Sequence, residues 1–441
     1  MILYTPAGDT DPIRNCYDGP ILHIIRKYRP RLARIFLSGD MSAKERTDKR
    51  YSRAIRHLEE HLRKADPGYS CAIEFIYTDI REVNLMDRLL LLAEEFSGLR
   101  EKYPEEEILL NISSGTPQMK SIMSFLATDF ENVRAVQVQS PNKASNRRTP
   151  AAQDGEDIDA IIENNLDDEP DYEDRCVEPA LRLLRRYGIR YQLVSLIQSY
   201  EYSAALLIYS RNKSMFADET GRLLEHAALR SRLQYKEAFK LNVRPPLKDD
   251  RLTALNEFFM VMQLRQKKGD LVEFIMKLTP YLYELLLYHL EHSSAVRPCG
   301  FCEDGKRPYR ISLAKLRAAL PQAAQALSAR FGGGFRDGTE LSFSNMLLIS
   351  PYCSDISEST VRQLEALRQV EARHRNFVAH NIGNLTEERL AGEEPHLNSS
   401  KILAALYSVT KALLGEKNIY VTTLYDRLNE SIIRSMDKFR L

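Results

Sequence analysis

Glu107-Ile-Leu-Leu-Asn-Ile-Ser-Ser-Gly-Thr-Pro-Gln-Met-Lys-Ser121 reads as a strand, a turn and the start of a helix. The apolar run through Ile112 suits a buried strand, and Ser113–Thr116 supplies turn residues. Pro117 fits the first helical position, where its missing N–H is no loss. A Ser/Gly/Thr-rich turn that feeds a helix N-terminus presents free amides and hydroxyls, which suits an anionic or nucleotide ligand.

The same alternation extends outward to the N-terminus. Candidate strands are Met1–Tyr4, Ala33–Leu37, Ala72–Tyr77, Glu107–Ile112 and Arg134–Gln139. Helical patterns lie between them at Pro20–Tyr28, Lys44–Lys64, Leu85–Arg100 and Gln118–Thr128. Strand–helix repetition predicts a Rossmann-like parallel sheet covered on both faces, with ligands bound beyond the carboxyl ends of the strands. One such end carries Ala7-Gly-Asp-Thr-Asp-Pro-Ile-Arg-Asn15, and the other carries Asn111–Ser121. Neither is a P-loop, which would need Gly where Ser114 and Met119 stand. No Gly-x-Gly-x-x-Gly follows the first strand, so ATP hydrolysis and a dinucleotide cofactor are disfavoured.

Composition then shifts. A basic stretch, Lys143 to Arg148, precedes Asp154 to Asp174, which is rich in Asp and Glu and reads as a linker or solvated excursion. From Cys176 the patterns are helical: Pro179–Tyr187, Gln192–Tyr209, Glu219–Leu241, Leu252–Lys267 and Asp270–His292, then Ala314–Phe331, Thr360–Gly383, Ser400–Leu414 and Val421–Phe439. The expected class is α/β plus all-α. The expected domains are 1–170, with the acidic linker at its end, a helical connecting domain at 171–292, and a helical domain at 293–441. His289, His292, Cys299 and Cys302 have the ligand types of a zinc site, but one Cys-x-x-Cys with so short a spacer reads by default as turn cysteines. Gly332-Gly-Gly334 is a loop with no strand leading into it.

At 441 residues the chain has room for two or three cores. Its net charge of +1 gives no global basic field, so contact with nucleic acid must come from a local patch. The opening Met-Ile-Leu-Tyr-Thr-Pro has neither the basic region nor the cleavage site of a signal peptide, and no apolar run approaches a membrane span. Six scattered Cys make no disulfide framework, which points to a reducing cytoplasm.

The chemistry concentrates in Glu371-Ala-Arg-His-Arg-Asn-Phe-Val-Ala-His380. As a helix it sets Glu371 four residues before Arg375, and Asn376 four before His380. A planar, always-charged guanidinium beside an imidazole suits work on a phosphodiester. A second Arg-x-x-x-x-His, Arg56 to His61, lies in a heavily charged segment and reads as a solvated helix face. Arg373 to His380 fits a looser spacing. Arg375 is preferred for its neighbour Asn376 and its pairing with Glu371, which leaves Arg373 to a phosphate backbone.

These motifs together resemble CARF–HEPN ancillary ribonucleases of type III-A (Csm) CRISPR systems. Gly8-Asp-Thr-Asp-Pro12, Arg14-Asn15 and Asp18-Gly19 look like the first CARF motif, and Asn111 to Lys120 looks like the second. Glu371, Arg375, Asn376 and His380 match the catalytic helix of HEPN ribonucleases, and the order of motifs matches the family over essentially the whole chain. The resemblance implies a homodimer in which two HEPN helices form one composite site. There a metal-independent endoribonuclease cuts single-stranded RNA to 2′,3′-cyclic phosphate and 5′-hydroxyl ends. Arg375 would stabilise the phosphorane, His380 exchange a proton, Asn376 hold the geometry and Glu371 fix Arg375. DNA, lacking the 2′-hydroxyl, would be neither cut nor stably bound.

The resemblance also implies allosteric activation by a cyclic oligoadenylate made when viral RNA is detected. Asp9, Thr10, Asp11, Arg14 and Asn15, with Asn111, Ser113, Ser114, Gly115, Thr116 and Gln118, would bind it across two CARF domains. Streptococcal-type relatives favour the cyclic hexa-adenylate over the tetra-adenylate, and Thr116 is a candidate for slow cleavage of that ring. No other cofactor is implied, and no membrane. Two rivals are a non-catalytic sensor with a HEPN dimerisation module and an activator-independent HEPN toxin. The intact Arg, Asn and His speak against the first, and the CARF-like loops against the second.

Overall fold

The computed structural model describes residues 1–130, 132–141, 157–169, 171–241, 247, 249–292, 294–303, 305, 307–352, 355–380, 384–392 and 397–438, with 375–380 described as helical backbone alone. The chain forms two compact units, Met1–Gly188 and Ile189–Leu441.

Among its described residues the first unit has eight strands: β1 (Ile2–Pro6), β2 (Ile13–Arg14), β3 (Tyr17–Asp18), β4 (Leu32–Leu37), β5 (Ala72–Tyr77), β6 (Ile108–Asn111), β7 (Val133–Val138) and β8 (Cys176–Val177). Six of them form a sheet in the order β5-β4-β1-β6-β7-β8, parallel except where β8 runs against β7. All of β1 and β6 is buried, as expected of strands covered on both faces. Side chains alternate across the sheet. Leu3, Ala33 and Ile35 pack with the helices Pro20–Tyr28 and Arg50–Arg63 through Ile21, Ile25, Ile55 and Leu58. On the other face Ile2, Tyr4, Phe36 and Leu110 pack with Leu90–Lys102 and Pro117–Asp129 through Leu92, Phe96, Met119 and Met123.

Expectations for two segments of this unit need correction. The segment Lys44–Lys64 is two helices, Gly39–Asp48 and Arg50–Arg63, separated at the left-handed Lys49. Buried Glu45 makes the break, because its carboxylate accepts from the Tyr51 N–H (2.8 Å) and the Ser52 hydroxyl (2.6 Å) of the second helix. The acidic stretch is no linker over its described part. It folds back as a helix (Ile158–Glu163), a 3-10 turn (Leu166–Asp168) and β8. Arg26 bridges Asp18 (2.6 Å) and Asp168 (2.7 Å), Arg175 pairs with Asp167 (2.6 Å), and Lys27 pairs with Asp174 (2.5 Å). Local composition hides these cations, since Arg26 and Lys27 lie far upstream. The basic stretch Lys143–Arg148 lies outside the described residues.

The second unit is helical around one apolar cluster. Pro321 divides the expected Ala314–Phe331 into Leu313–Ala319 and Pro321–Arg330. His289 has both ring nitrogens engaged, with the Leu413 carbonyl (2.9 Å) and Asp355 (3.0 Å), and offers no free atom to a metal. The cysteines are not in a turn: exposed Cys299 lies in the short helix Pro298–Phe301, and buried Cys302 forms an antiparallel bridge with Ile311. No described helix is long and apolar enough to cross a membrane.

Candidate functional site

The chain leaves β1 for β4 and β5 on one side, then returns past β1 to β6 and β7 on the other. The carboxyl ends of β1 and β6 are therefore the topological switch point, where such sheets bind ligands. Both loops singled out in the sequence end there, and they touch. A Cβ on Gly8 would lie 2.5 Å from the Gly115 nitrogen, and one on Gly115 would lie 2.7 Å from Met119 Sδ. Gly115 also has φ +80°, which L side chains rarely adopt.

The candidates divide into a frame and a mouth. Asn111 and Ser114 are wholly buried: the Asn111 amide donates to Thr5 Oγ1 (2.9 Å) and Ser114 Oγ (2.7 Å), and its oxygen accepts from the Ser113 N–H (2.8 Å). Asp11, buried before a cis bond to Pro12, accepts from the Gly8 and Ile21 amides at 3.0 Å each. Burial raises the Asp11 carboxyl to about 6, against the hydrogen bonds from Ile21, Ser114 and Gly8 and the positive charge of Lys120. These three residues knit the loops together. At the mouth Asp9 is exposed, Thr10, Ser113, Gly115 and Gln118 are half-buried, and Lys44 approaches Asp9 at 3.7 Å.

Thr116 caps the helix Pro117–Asp129, accepting from the Met119 N–H (3.4 Å) while its hydroxyl donates to the Val83 carbonyl (2.9 Å). Asn15 and Cys16 form the two-residue turn of the β2–β3 hairpin, at φ 51° and 60°, as a type I′ turn requires. Asn tolerates that conformation, so turn chemistry accounts for Asn15, and half-buried Arg14 lies in the hairpin's first strand. Lys120 was not among the candidates named from the sequence, yet it interacts with Asp11 of the loop after β1. Its signal is its place in the first turn after Pro117, and its half-buried ammonium is pushed down by burial, with Asp11 opposing.

A buried network fixes the floor beneath the hairpin. The Asp18 N–H donates to Asp167 (2.8 Å), and the Arg175 N–H donates to His23 Nε2 (2.9 Å). His23 Nδ1 lies 3.1 Å from the Arg175 guanidinium and faces Asp18 at 3.6 Å and Asp167 at 3.8 Å. Burial alone would raise Asp18, yet hydrogen bonds from His23 and Arg26 hold it at about 2.

In the second unit one helix, Glu358–His380, carries the whole Glu371–His380 motif. It packs against Leu271–Met276, Leu278–His292, Phe343–Ile349 and Ser399–Leu414. Its inward stripe runs Leu364, Leu367, Glu371, His374, so a carboxylate and an imidazole fill the last two described core positions. Glu371 is 1% exposed, and its carboxylate accepts from the Thr279 hydroxyl and pairs with Arg368. His374 is pushed down by burial and by the neighbouring Arg373 charge, while a bond to the Leu390 backbone opposes both. The side chains of Arg375, Asn376 and His380 lie outside the described residues; their backbone places all three in the last two turns of this helix. Arg56, in the rival motif, pairs with buried Glu59 on a surface helix.

Comparison with known proteins supplies the context. Residues 76–176 match the family model described as the Cas_Csm6 CARF domain, residues 179–231 the CRISPR-associated protein Csm6 6H domain, and residues 245–433 the Cas_Csm6 HEPN domain. A CRISPR system endoribonuclease Csm6 of Mycobacterium tuberculosis is 31% identical over an alignment of 454 residues covering 99% of each chain. One from Enterococcus italicus is 28% identical over 287 residues, 63% of each. In fold, the chain is similar to a solved Enterococcus italicus Csm6 bound to cyclic hexa-2′-fluoro-hexa-dAMP, with TM-score 0.64 and 21% identity, covering 98% of this chain and 99% of that one.

Proposed function

The chain belongs to the Csm6 family of CRISPR system endoribonucleases, and from that premise we propose how this endoribonuclease is switched on and how it cuts. A cyclic oligoadenylate binds across the CARF domains of two chains and activates the HEPN motif. The observation that carries this reading is the meeting of the β1 and β6 loops at the switch point. Buried Asp11, Asn111 and Ser114 set the frame there, while Asp9, Thr10, Ser113, Gly115 and Gln118 are left at the mouth. Backbone amides at the start of Pro117–Asp129 and the Lys120 charge suit phosphates. The solved relative carries a ring of six nucleotides, which favours cyclic hexa-adenylate over the tetra-adenylate.

At the HEPN site two motif helices of a homodimer form one composite centre. The RNA 2′-hydroxyl attacks the adjacent phosphorus, and the 5′-oxygen of the next nucleotide leaves with a proton. His380 handles the proton of the attacking or leaving oxygen, Arg375 stabilises the extra phosphorane charge, and Asn376 holds the geometry. Glu371 would steady Arg375 one turn away while Thr279 and Arg368 also hold its buried carboxylate. No step calls for a metal, and DNA cannot take the first. Slow cleavage of the activator by Thr116 would require its hydroxyl to leave the Val83 carbonyl. The enzyme works in the cytoplasm, where viral transcripts are found.

Product analysis tests the chemistry. Mass spectrometry of cut RNA is expected to show 2′,3′-cyclic phosphate and 5′-hydroxyl ends, and 2′-O-methyl RNA is expected to stay intact. Ends with 3′-hydroxyl and 5′-phosphate would overturn the mechanism.

A further inference from the structure

A shallow groove of about 160 Å³ opens beside the motif helix, lined by residues of Glu358–His380 and of the segment from Leu397 into Ser399–Leu414. Val370, Leu397, Ile402 and Ala405 line it, and the exposed Arg373 and Lys401 supply its charge. Among the described residues no carboxylate lines it. In a chain with 62 basic and 61 acidic residues, two cations around an acid-free apolar floor are a local exception. Arg373 stands seven positions before His380, which is two helical turns, roughly 10 Å along the axis and near the same face.

We propose that this groove is an RNA subsite, holding a nucleotide that flanks the cleaved bond. The inference rests on the ribonuclease reading above. Arg373 and Lys401 take the phosphate, one as a planar fork and the other as a point charge. The apolar floor takes the face of the base. Every base has such a face, so this contact holds RNA in place and reads little sequence.

The test uses the full-length His380→Ala protein with cyclic hexa-adenylate, and fluorescence anisotropy of a short labelled single-stranded RNA. Lys401→Ala is expected to weaken binding about 3- to 10-fold at low salt and to flatten the log–log salt dependence by about 0.7, the share of one single-strand phosphate contact. Lys401→Arg is expected to restore both. Ala405→Phe, which fills the floor, is expected to weaken binding with the salt slope intact. In the catalytically intact protein the Lys401→Ala loss falls on KM more than on kcat. Unchanged affinity and slope in Lys401→Glu would overturn the proposal. So would a fall in dimer mass caused by Ala405→Phe, which would assign the groove to a second copy of the chain. Binding is read without cleavage, so a parent that binds RNA through Lys401 and never cuts would overturn the nuclease reading alone.

Discussion

Glu371 shows what one residue can reveal and conceal. Its spacing from Arg375, Asn376 and His380 predicts a shared helix, and Glu358–His380 is that helix. Its partner Thr279 was illegible, because it lies 92 positions away on another helix. A core position filled by a carboxylate is costly unless its bonds are made. Glu371→Ala is therefore expected to lower stability by about 2 kcal/mol, and cleavage by a larger factor than folding accounts for. Thermal melting and kcat on the same preparation check this. Asp11 makes a pH prediction. Its folded carboxyl sits at about 6, above the unfolded value near 3.8, so the folded state holds the extra proton between the two. Its contribution is lost as pH rises from about 4 to about 6, by up to about 3 kcal/mol. Melting across that range should fall less steeply in Asp11→Asn than in the parent.

At the scale of elements, the parallel sheet was legible because apolar runs and helical stripes alternate from residue 1 to about 140. The acidic stretch was not. Its carboxylates are matched by Arg26, Lys27 and Arg53, more than a hundred residues upstream, and no local window sees such pairs. Arg26→Met should leave Asp18 and Asp168 without their shared cation. The expected loss is about 3–5 kcal/mol, the usual cost of a buried charge without its partner, read by denaturant unfolding. The two site loops were legible as turns, but their contact at Gly8 and Gly115 was not, since it depends on strand order. Gly8→Ala forces a backbone-to-backbone clash there. It should cost about 1–3 kcal/mol and weaken binding of the ring activator, seen by calorimetry, while RNA binding at the motif helix stays within twofold.

For the whole molecule, the order of sheet domain and helical remainder was readable from the change in periodicity near Cys176. The apolar clusters of the first unit draw only on residues up to Leu181, so Met1–Gly188 carries its own core. Expressed alone, that fragment is expected to fold and to have no ribonuclease activity. An unfolded circular-dichroism spectrum would contradict its independence. The central claim is a ribonuclease gated by a cyclic oligoadenylate. The most direct measurement is cleavage of fluorescent single-stranded RNA in EDTA, with cyclic tri-, tetra- and hexa-adenylate supplied separately, by the parent and by His380→Ala. Cutting by the parent with the hexa-adenylate, and none by the variant, is the predicted result. Equal cutting without any ring, or silence with every ring despite measurable ring binding, would contradict it.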